Sequence, residues 1–286
     1  METMEHVIII TNKPKDPQLL VTREICTYLE EVGVTCSVYA DEISAGKWQE
    51  ILHTEGKQTD MILVLGGDGT LLRAAKDTAQ AKIPVIGVNL GTLGYLAEVE
   101  RTNLKPALDQ LLAGDYTIEE RMMLKGQVFR NGKILEDCCA LNDVAIVRNG
   151  RLQMLYFQIF VNGKFLKEYF ADGMIVATPT GSTGYNMSAG GPIVEPAANL
   201  LLLTPVCPHT LQNRSVILKA EDEILIRVRK REGYEQANMD VTFDGGTSVG
   251  LEPGDEVRIV KSDLITSIIK LSEASFLDVL QRKLRE

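Results

Sequence analysis

Met61-Ile-Leu-Val-Leu-Gly-Gly-Asp-Gly-Thr70 decides the fold of this 286-residue chain. Its apolar run is too short for a helix and is closed by glycine, which predicts a strand buried on both faces, as in a parallel sheet. Three glycines at the carboxyl end let backbone N–H groups approach a polyphosphate with no Cβ in the way. Thr70 then reads as the cap of a helix over residues 71–80, whose positive end favours the same anion. An aspartate is an odd member of a passive phosphate cradle, because it repels the ligand unless it binds a cation or accepts a proton. The pentapeptide Gly66 to Thr70 therefore points to chemistry at Asp68. The plainer reading is a tight strand-to-helix turn in which Asp68 satisfies a local backbone donor.

Around this turn the chain alternates short apolar runs with longer amphipathic ones. Residues 7–11, 34–39, 61–65 and 85–88 predict strands. Residues 18–31, 71–80 and 104–112 predict helices, with a weaker one at 45–53. This is the βαβ rhythm of a doubly wound parallel sheet, which binds ligands outside the carboxyl ends of its strands. Both the Gly66 turn and Asn89-Leu-Gly-Thr-Leu-Gly-Tyr95 occupy such ends.

Beyond about residue 115 strand follows strand. Asn131-Gly132, Asn149-Gly150 and Asn162-Gly163 each match the preferred two-residue hairpin turn, since both positions tolerate positive φ. The expected division is a Rossmann-like α/β domain over 1–115 and a β-rich, antiparallel sandwich-like domain over 116–274. An amphipathic helix within 275–286 is expected to return to the first domain.

Composition sets limits. A formal net charge of −9 argues against a nucleic-acid surface, which needs a concentrated basic face. Cys26, Cys36, Cys138, Cys139 and Cys207 follow neither a disulfide framework nor a zinc spacing, so reduced thiols and no bound structural metal are expected. Met1-Glu-Thr-Met-Glu-His6 is not a basic region ahead of a long apolar stretch, and no run approaches a membrane span. A cytoplasmic protein without a membrane or nucleic-acid partner is expected. The histidines His6, His53 and His209 show no ligand spacing.

Two common nucleotide signatures are missing. Each Gly-Lys pair is followed by a residue other than Ser or Thr, so there is no Walker A loop, and no Gly-x-Gly-x-x-Gly occurs. A second dense segment runs from Asp172 to Gly191 and contains Thr178-Pro-Thr-Gly-Ser-Thr-Gly-Tyr185. It predicts a strand over 174–177, then a loop crowded with hydroxyls and glycines that opens a helix near Ser182. Such groups suit ribose, phosphate and adenine edges, and Tyr185 can stack or hydrogen-bond. Asn142-Asp143 reads either as an ordinary turn or as a grip on ribose hydroxyls.

Taken together, Gly66-Gly-Asp-Gly-Thr70, Asn142-Asp143 and Thr178 through Gly191, in this order and spacing, resemble the bacterial NAD kinase family. The likeness extends to Asn89–Tyr95 and to Leu251-Glu-Pro-Gly-Asp-Glu-Val257. It implies a Rossmann-like first domain, a β-rich second one and NAD bound between them. It implies transfer of the γ-phosphoryl of ATP to the 2′-hydroxyl of the adenosine ribose of NAD, giving NADP. Mg²⁺ or Mn²⁺ would accompany ATP, polyphosphate is an open alternative donor, and a homo-oligomer, dimer or tetramer, is implied. Asp68 would accept the proton of the hydroxyl, with Gly66, Gly67 and Gly69 against the donor phosphates and Arg73 offsetting their charge. Asn142, Asp143, Asp172, Thr180, Thr183, Gly184, Tyr185, Asn186, Met187 and Ser188 would hold the dinucleotide.

The chain departs from the family pattern in places. Gly184 stands where many members carry Ala, and Phe170 stands where a basic residue often precedes Ala-Asp. Asp244-Gly-Gly246 lacks the glutamine expected after Asp-Gly, and Gln153 occupies another variable contact position. These positions, Gly246 included, bear on how the dinucleotide is held. A lipid kinase of the diacylglycerol type, or a non-catalytic NAD(P)-binding regulator, are the rival readings. The first would need a membrane-facing segment, and the retained Asp68 argues against the second.

Overall fold

The computed structural model describes residues 4–40, 48, 50–51, 59–91, 94–150, 153–209, 214–230, 238–272, 274–283 and 285. The chain divides into two compact units, one of residues 1–120 with 265–286 and one of residues 121–264.

In the first unit β1 (His6–Thr11), β2 (Thr35–Tyr39), β3 (Met61–Gly66) and β4 (Val85–Asn89) form a parallel sheet in the order β4-β3-β1-β2. Short β5 (Val99–Glu100) adds to β4. The end of the chain's last strand does so too, with Ile268 opposite Val85. Helices α1 (Leu20–Glu31), α2 (Asp68–Thr78) and α3 (Leu104–Ala113) cover both faces.

Every residue of β3 is buried, because successive side chains enter opposite helical layers. Met61, Leu63 and Leu65 pack with Val21, Ile25 and Leu29 of α1 and Leu104, Leu108 and Leu111 of α3. Ile62 and Val64 pack with Leu71 and Ala74 of α2 and with Trp48. This is the doubly wound layout expected from the βαβ rhythm. The strand order reverses between β1 and β3, where such sheets leave a crevice at their carboxyl ends.

The helix after the glycine turn starts earlier than its sequence suggests. α2 begins at Asp68, and Gly67 is its N-cap in an extended conformation with no side-chain cap. Thr70 is thus inside the first turn, and its Oγ1 accepts a hydrogen bond of 2.9 Å from Asn12 Nδ2 instead of capping. The Thr70 hydroxyl is thus taken up by a partner from β1's end. The weaker helix at 45–53 lies mostly outside the described residues.

The second unit is built largely of antiparallel pairs. It contains β6 (Thr117–Arg130) from Arg121 on, β7 (Lys133–Ala140), β8 (Asp143–Asn149), β9 (Leu155–Val161) and β10 (Lys164–Ala171). These are followed by β11 (Gly173–Ala177), α4 (Tyr185–Ser188), β12 (Leu200–Val206), β13 (Val216–Lys219) and β14 (Ile224–Arg229). β15 (Asn238–Phe243), β16 (Thr247–Leu251) and β17 (Glu256–Lys270) complete it, with β17 passing into the first unit at Ile265. Six strands form one sheet, in the order β13-β12-β11-β8-β15-β16. Its inner residues, among them Val144, Met174, Leu203 and Phe243, meet Phe157, Ile159, Ile226 and Val257 from β9, β14 and β17 in one core.

Two of the three Asn-Gly pairs are the hairpin turns expected. Asn131 and Gly132 join β6 to β7, Asn162 and Gly163 join β9 to β10, and all four have positive φ. Asn149-Gly150 differs: Asn149 ends β8, which pairs with β11 and β15, and the next strand, β9, pairs with β10 and β14. It passes between sheets, so no hairpin register depends on it. The tail helix α5 (Phe276–Lys283) opens on a reciprocal cap, Ser275 N–H donating to Asp278 Oδ2 at 2.9 Å and Asp278 N–H to Ser275 Oγ at 3.2 Å.

Leu63 is 1% exposed at the centre of β3. Leu63→Ala is expected to cost about 2–5 kcal/mol through lost burial and a residual cavity, read as an earlier urea transition of the first unit.

Candidate functional site

Two clusters of functional groups stand in the chain, one in each unit. In the first, Asp68 is the opening residue of α2, at the helix's positive end. Its carboxylate accepts backbone hydrogen bonds from Tyr95, 2.8 Å to Oδ2, and Leu96, 3.3 Å to Oδ1. The plainer reading of the turn is therefore half right: Asp68 does satisfy backbone donors, but they come from a loop 27 residues away. A Cβ on Gly94 would overlap this carboxylate, so any larger residue there must displace it.

Lys15 brings a cation to the same turn. Its Nζ lies 2.8 Å from where a Gly67 Cβ would stand and 3.4 Å from that of Gly91. Asn12 links the ends of β1 and β3: its N–H donates to the Leu65 carbonyl at 2.8 Å and its Nδ2 to Thr70 Oγ1. Asn12 Oδ1 is buried with no hydrogen-bond partner. Gly66 packs directly on Thr70, while Gly69 is exposed with open space where a Cβ would be. Arg73 is exposed on α2, one turn beyond Asp68.

In the second unit, Asn142 and Asp143 sit at the start of β8. Asp244, held at φ 51°, gathers their backbone: its carboxylate accepts from the N–H groups of Leu141 at 2.8 Å, Asn142 at 2.7 Å and Asp143 at 3.0 Å. The Thr178 loop closes on the same turn. Thr178 Oγ1 donates to the Leu141 carbonyl at 2.6 Å, Thr178 N–H to that of Asn142 at 2.9 Å, and Gly181 N–H to Thr178 Oγ1 at 3.0 Å. A Cβ on Gly181 would overlap the Asn142 carbonyl. One on Gly184 would lie 3.2 Å from Asn142 Nδ2 and 3.8 Å from Asp143 Oδ2. Asn142, Asp143, Thr180 and Gly184 are thereby brought together.

Two polar atoms of this cluster, Asn142 Oδ1 and Thr180 Oγ1, are buried without a hydrogen-bond partner. With Asn12 Oδ1 they make up every such side-chain atom among the described residues. A buried polar atom left unmet costs about 1–3 kcal/mol, so these positions favour a ligand that supplies the missing bonds. The Asp143 carboxyl is pushed up to about 7 by burial, with the charge of Asp244 adding to the effect.

The remaining sequence-selected residues divide. Asn186 is fully engaged inside the fold: Nδ2 donates to the carbonyls of Ser182 and Pro192, and Oδ1 accepts from Thr204. Gly191 lies against it, with no room for a Cβ. Thr183 Oγ1 donates to the Thr180 carbonyl at 3.3 Å. Tyr185 is 41% exposed at the start of α4, ahead of Met187 and the exposed Ser188. Burial raises its phenol, helped by Cys207, Asp143 and Asp172. Asp172 pairs with Arg148 at 3.1 Å. Phe170 stacks on Tyr156 at 4.6 Å between centroids. Gly246 N–H donates to the Phe243 carbonyl, closing the turn that carries Asp244. Gln153 stands two residues before β9.

Comparison with known proteins adds a third line. A family profile described as ATP-NAD kinase N-terminal domain matches residues 7–116, and one described as ATP-NAD kinase C-terminal domain matches residues 141–271. The NAD kinase of Agathobacter rectalis is 44% identical over 282 residues, covering 98% of this chain and 99% of that protein. That of Lachnospira eligens is 39% identical over 295 residues, covering 98% and 100%. Among solved structures, yeast NADH kinase complexed with NADH superposes with a TM-score of 0.84 at 23% identity, covering 100% of this chain and 88% of that one. An NAD kinase from Archaeoglobus fulgidus in complex with ATP gives 0.77 at 24% identity, covering 98% of each. At these identities the two structures establish a shared fold.

Sequence reasoning passed over Asn12 and Lys15, and noticed Gly94 and Asp244 only within the Asn89–Tyr95 loop and the Asp244-Gly-Gly246 turn, with no role for either. The signal for the first two was present, since Asn12-Lys-Pro-Lys15 follows the carboxyl end of β1, as the glycine turn follows β3. Asp244 carried no local signal, because its partners are about 100 residues away.

The raised carboxyl of Asp143 fixes a pH dependence. Between its ordinary value of 3.8 and about 7 the unfolded carboxyl is ionised while the folded one keeps its proton. The group therefore subtracts stability progressively as pH rises through that window, and by a constant amount above it. Asp143→Asn removes the titration, so the melting temperature of the variant relative to wild type should rise from pH 4 to 7 and then level off.

Proposed function

The chain belongs to the NAD kinase family, and from that premise we propose roles for its two clusters in the reaction. The enzyme transfers the γ-phosphoryl of ATP to the 2′-hydroxyl of the adenosine ribose of NAD, giving NADP. Asp68 accepts the proton of that hydroxyl as its oxygen bonds to the γ-phosphorus and the bond to the β-phosphate oxygen breaks, releasing ADP. Phosphoryl transfer proceeds through a loose transition state, so orientation of the hydroxyl and compensation of charge count for more than base strength.

The donor phosphates fall to the first cluster. Gly67 and Gly69 allow close backbone approach above Gly66, which packs on Thr70, the start of α2 offers unpaired N–H groups, and Lys15 supplies the compensating charge. Arg73 adds a second cation from the next turn. The divalent cation, Mg²⁺ or Mn²⁺, comes with the triphosphate in this reading. Among the described residues no three His, Cys, Asp or Glu side chains are grouped to hold a metal by themselves. The hard oxygens of Asp68 suit such an ion beside phosphate oxygens, and when bound it would offset the anionic charge.

NAD falls to the second cluster. Asn142, Asp143 and Thr180 meet ribose hydroxyls and neighbouring polar groups, and Thr183, Gly184, Tyr185, Met187 and Ser188 line the dinucleotide. Phe170, Asp172, Gln153 and Gly246 border it, while Asn186 shapes the loop from within. The observation that carries this reading is the coincidence of the unmet polar atoms with the motifs: Asn142 Oδ1 and Thr180 Oγ1 lie in one, Asn12 Oδ1 beside the other. Homo-oligomeric assembly, as dimer or tetramer, and cytoplasmic residence are part of the same proposal. No described helix is long and apolar enough to cross a membrane.

NADP formation from NAD, ATP and Mg²⁺, read through an NADP-specific dehydrogenase, tests the assignment. Asp68→Asn is expected to keep NAD affinity and lose about 10²–10⁴-fold in turnover; a loss below tenfold would remove Asp68 from the mechanism. Lys15→Met should raise the KM for ATP by about tenfold or more with NAD affinity unchanged, the effect of deleting one charge-assisted contact to phosphate.

A further inference from the structure

The loop from Gly94 to Glu98 is neither helix nor strand, yet it touches Asp68 on one side and the end of β17 on the other. The backbone of Asp68 is fixed by β3 and α2, but its side-chain torsions are not. The donors that fix them are the N–H groups of Tyr95 and Leu96, one on each carboxylate oxygen. Gly94 lies so close to the carboxylate that a Cβ there would occupy its place.

The loop is itself tied at its far end. Glu98 N–H donates to the Gly87 carbonyl of β4 at 3.0 Å. Its side chain is 4% exposed: Oε2 pairs with Lys270, and Oε1 accepts from Leu271 N–H at 3.1 Å, Ser272 N–H at 2.8 Å and Ser272 Oγ at 2.8 Å. Gly87 packs on Ala97 and Leu71, where a Cβ would lie 3.0 Å from Ala97 Cα and 2.6 Å from Leu71 Cδ1. A buried carboxylate with four partners is a costly fixture for a half-buried loop unless the loop's position matters.

We infer that this loop aims the Asp68 carboxylate, with Gly94 and Glu98 as positioning residues that act on the reaction through Asp68. The inference rests on the role of Asp68 proposed above. Glu98, anchored by Lys270, sets where the Tyr95 and Leu96 donors stand, and Gly94 leaves the carboxylate room to face them. Misplacing a catalytic group by about 1 Å can cost on the order of 10²-fold, so a small loop shift is enough.

The test is a set of double-mutant cycles in turnover. Gly94→Ala and Lys270→Met are each made in the wild-type enzyme and in the Asp68→Asn variant, with KM for NAD and for ATP measured alongside. In the wild type, kcat should fall about 10- to 100-fold for Gly94→Ala and about tenfold for Lys270→Met, both KM values staying within about threefold. In the Asp68→Asn background the same changes should cost less than about threefold more, because the group they aim is already gone. Equal losses in both backgrounds, or unchanged kcat in the wild type, would overturn the inference. A failure of the underlying reading looks different, as turnover that survives in Asp68→Asn alone. Should Gly94→Ala not fold, Lys270→Met and Glu98→Gln decide the matter, since both weaken the anchor while leaving Gly94 in place.

Discussion

The packing of β3 between two parallel neighbours and two helical layers is the constraint on which the first unit depends. All six of its residues are buried, so the strand cannot slide or tilt without opening both cores. The turns on either side inherit that rigidity. Asn12 N–H donates to Leu65 and Leu90 N–H to Gly66, each at 2.8 Å, so the segments after β1, β3 and β4 are stitched to one another at the strand ends. A carboxylate, an ammonium and a helix start meet there because the strand order reverses at that point, which leaves no crossover to cover them.

The second unit reaches its site by a different economy. Asp244 spends its carboxylate on three backbone N–H groups, and Thr178 spends its hydroxyl on a carbonyl and an amide. Those bonds hold the Asn142 turn and the Thr178 loop together without drawing on the side chains of Asn142 or Thr180. Asn186 shows the contrast, since both polar atoms of its side chain are used to hold its loop in place. Thr178, Thr180 and Asn186 thus differ in whether their side chains hold the fold, although all three belong to the same hydroxyl-rich stretch.

Much of this was legible in the sequence because it is written in local signals. Burial on both faces shows as an unbroken apolar run, and close approach shows as clustered glycines. The hairpins at Asn131 and Asn162 show as Asn-Gly. What stayed hidden depends on partners far along the chain. Thr70 has the right residue type for a cap, but Asn12 claims its hydroxyl. Asn149-Gly150 has the composition of a hairpin, yet its flanking strands enter different sheets. Asp68 was legible as a chemical group, whereas its donors at Tyr95 and Leu96 were not, since a backbone N–H has no sequence signature. Asp244 drew notice only for the glutamine missing beside it, and its grip on Leu141 to Asp143 follows from sheet topology.

The two attachments of Asp68 differ in how they can come undone. Amides of β3 sit in a central, fully buried ladder and can exchange with solvent only when the first unit unfolds as a whole. The amides of Tyr95 and Leu96 are bonded to a side chain in a half-buried loop and can exchange through a smaller opening. The Asp68 side chain thus hangs between a part of its unit that opens only with global unfolding and one that can open locally. A partner bound at the Asp68 carboxylate is therefore expected to change deuterium uptake at the amides of Tyr95 and Leu96 while leaving that of β3 unchanged.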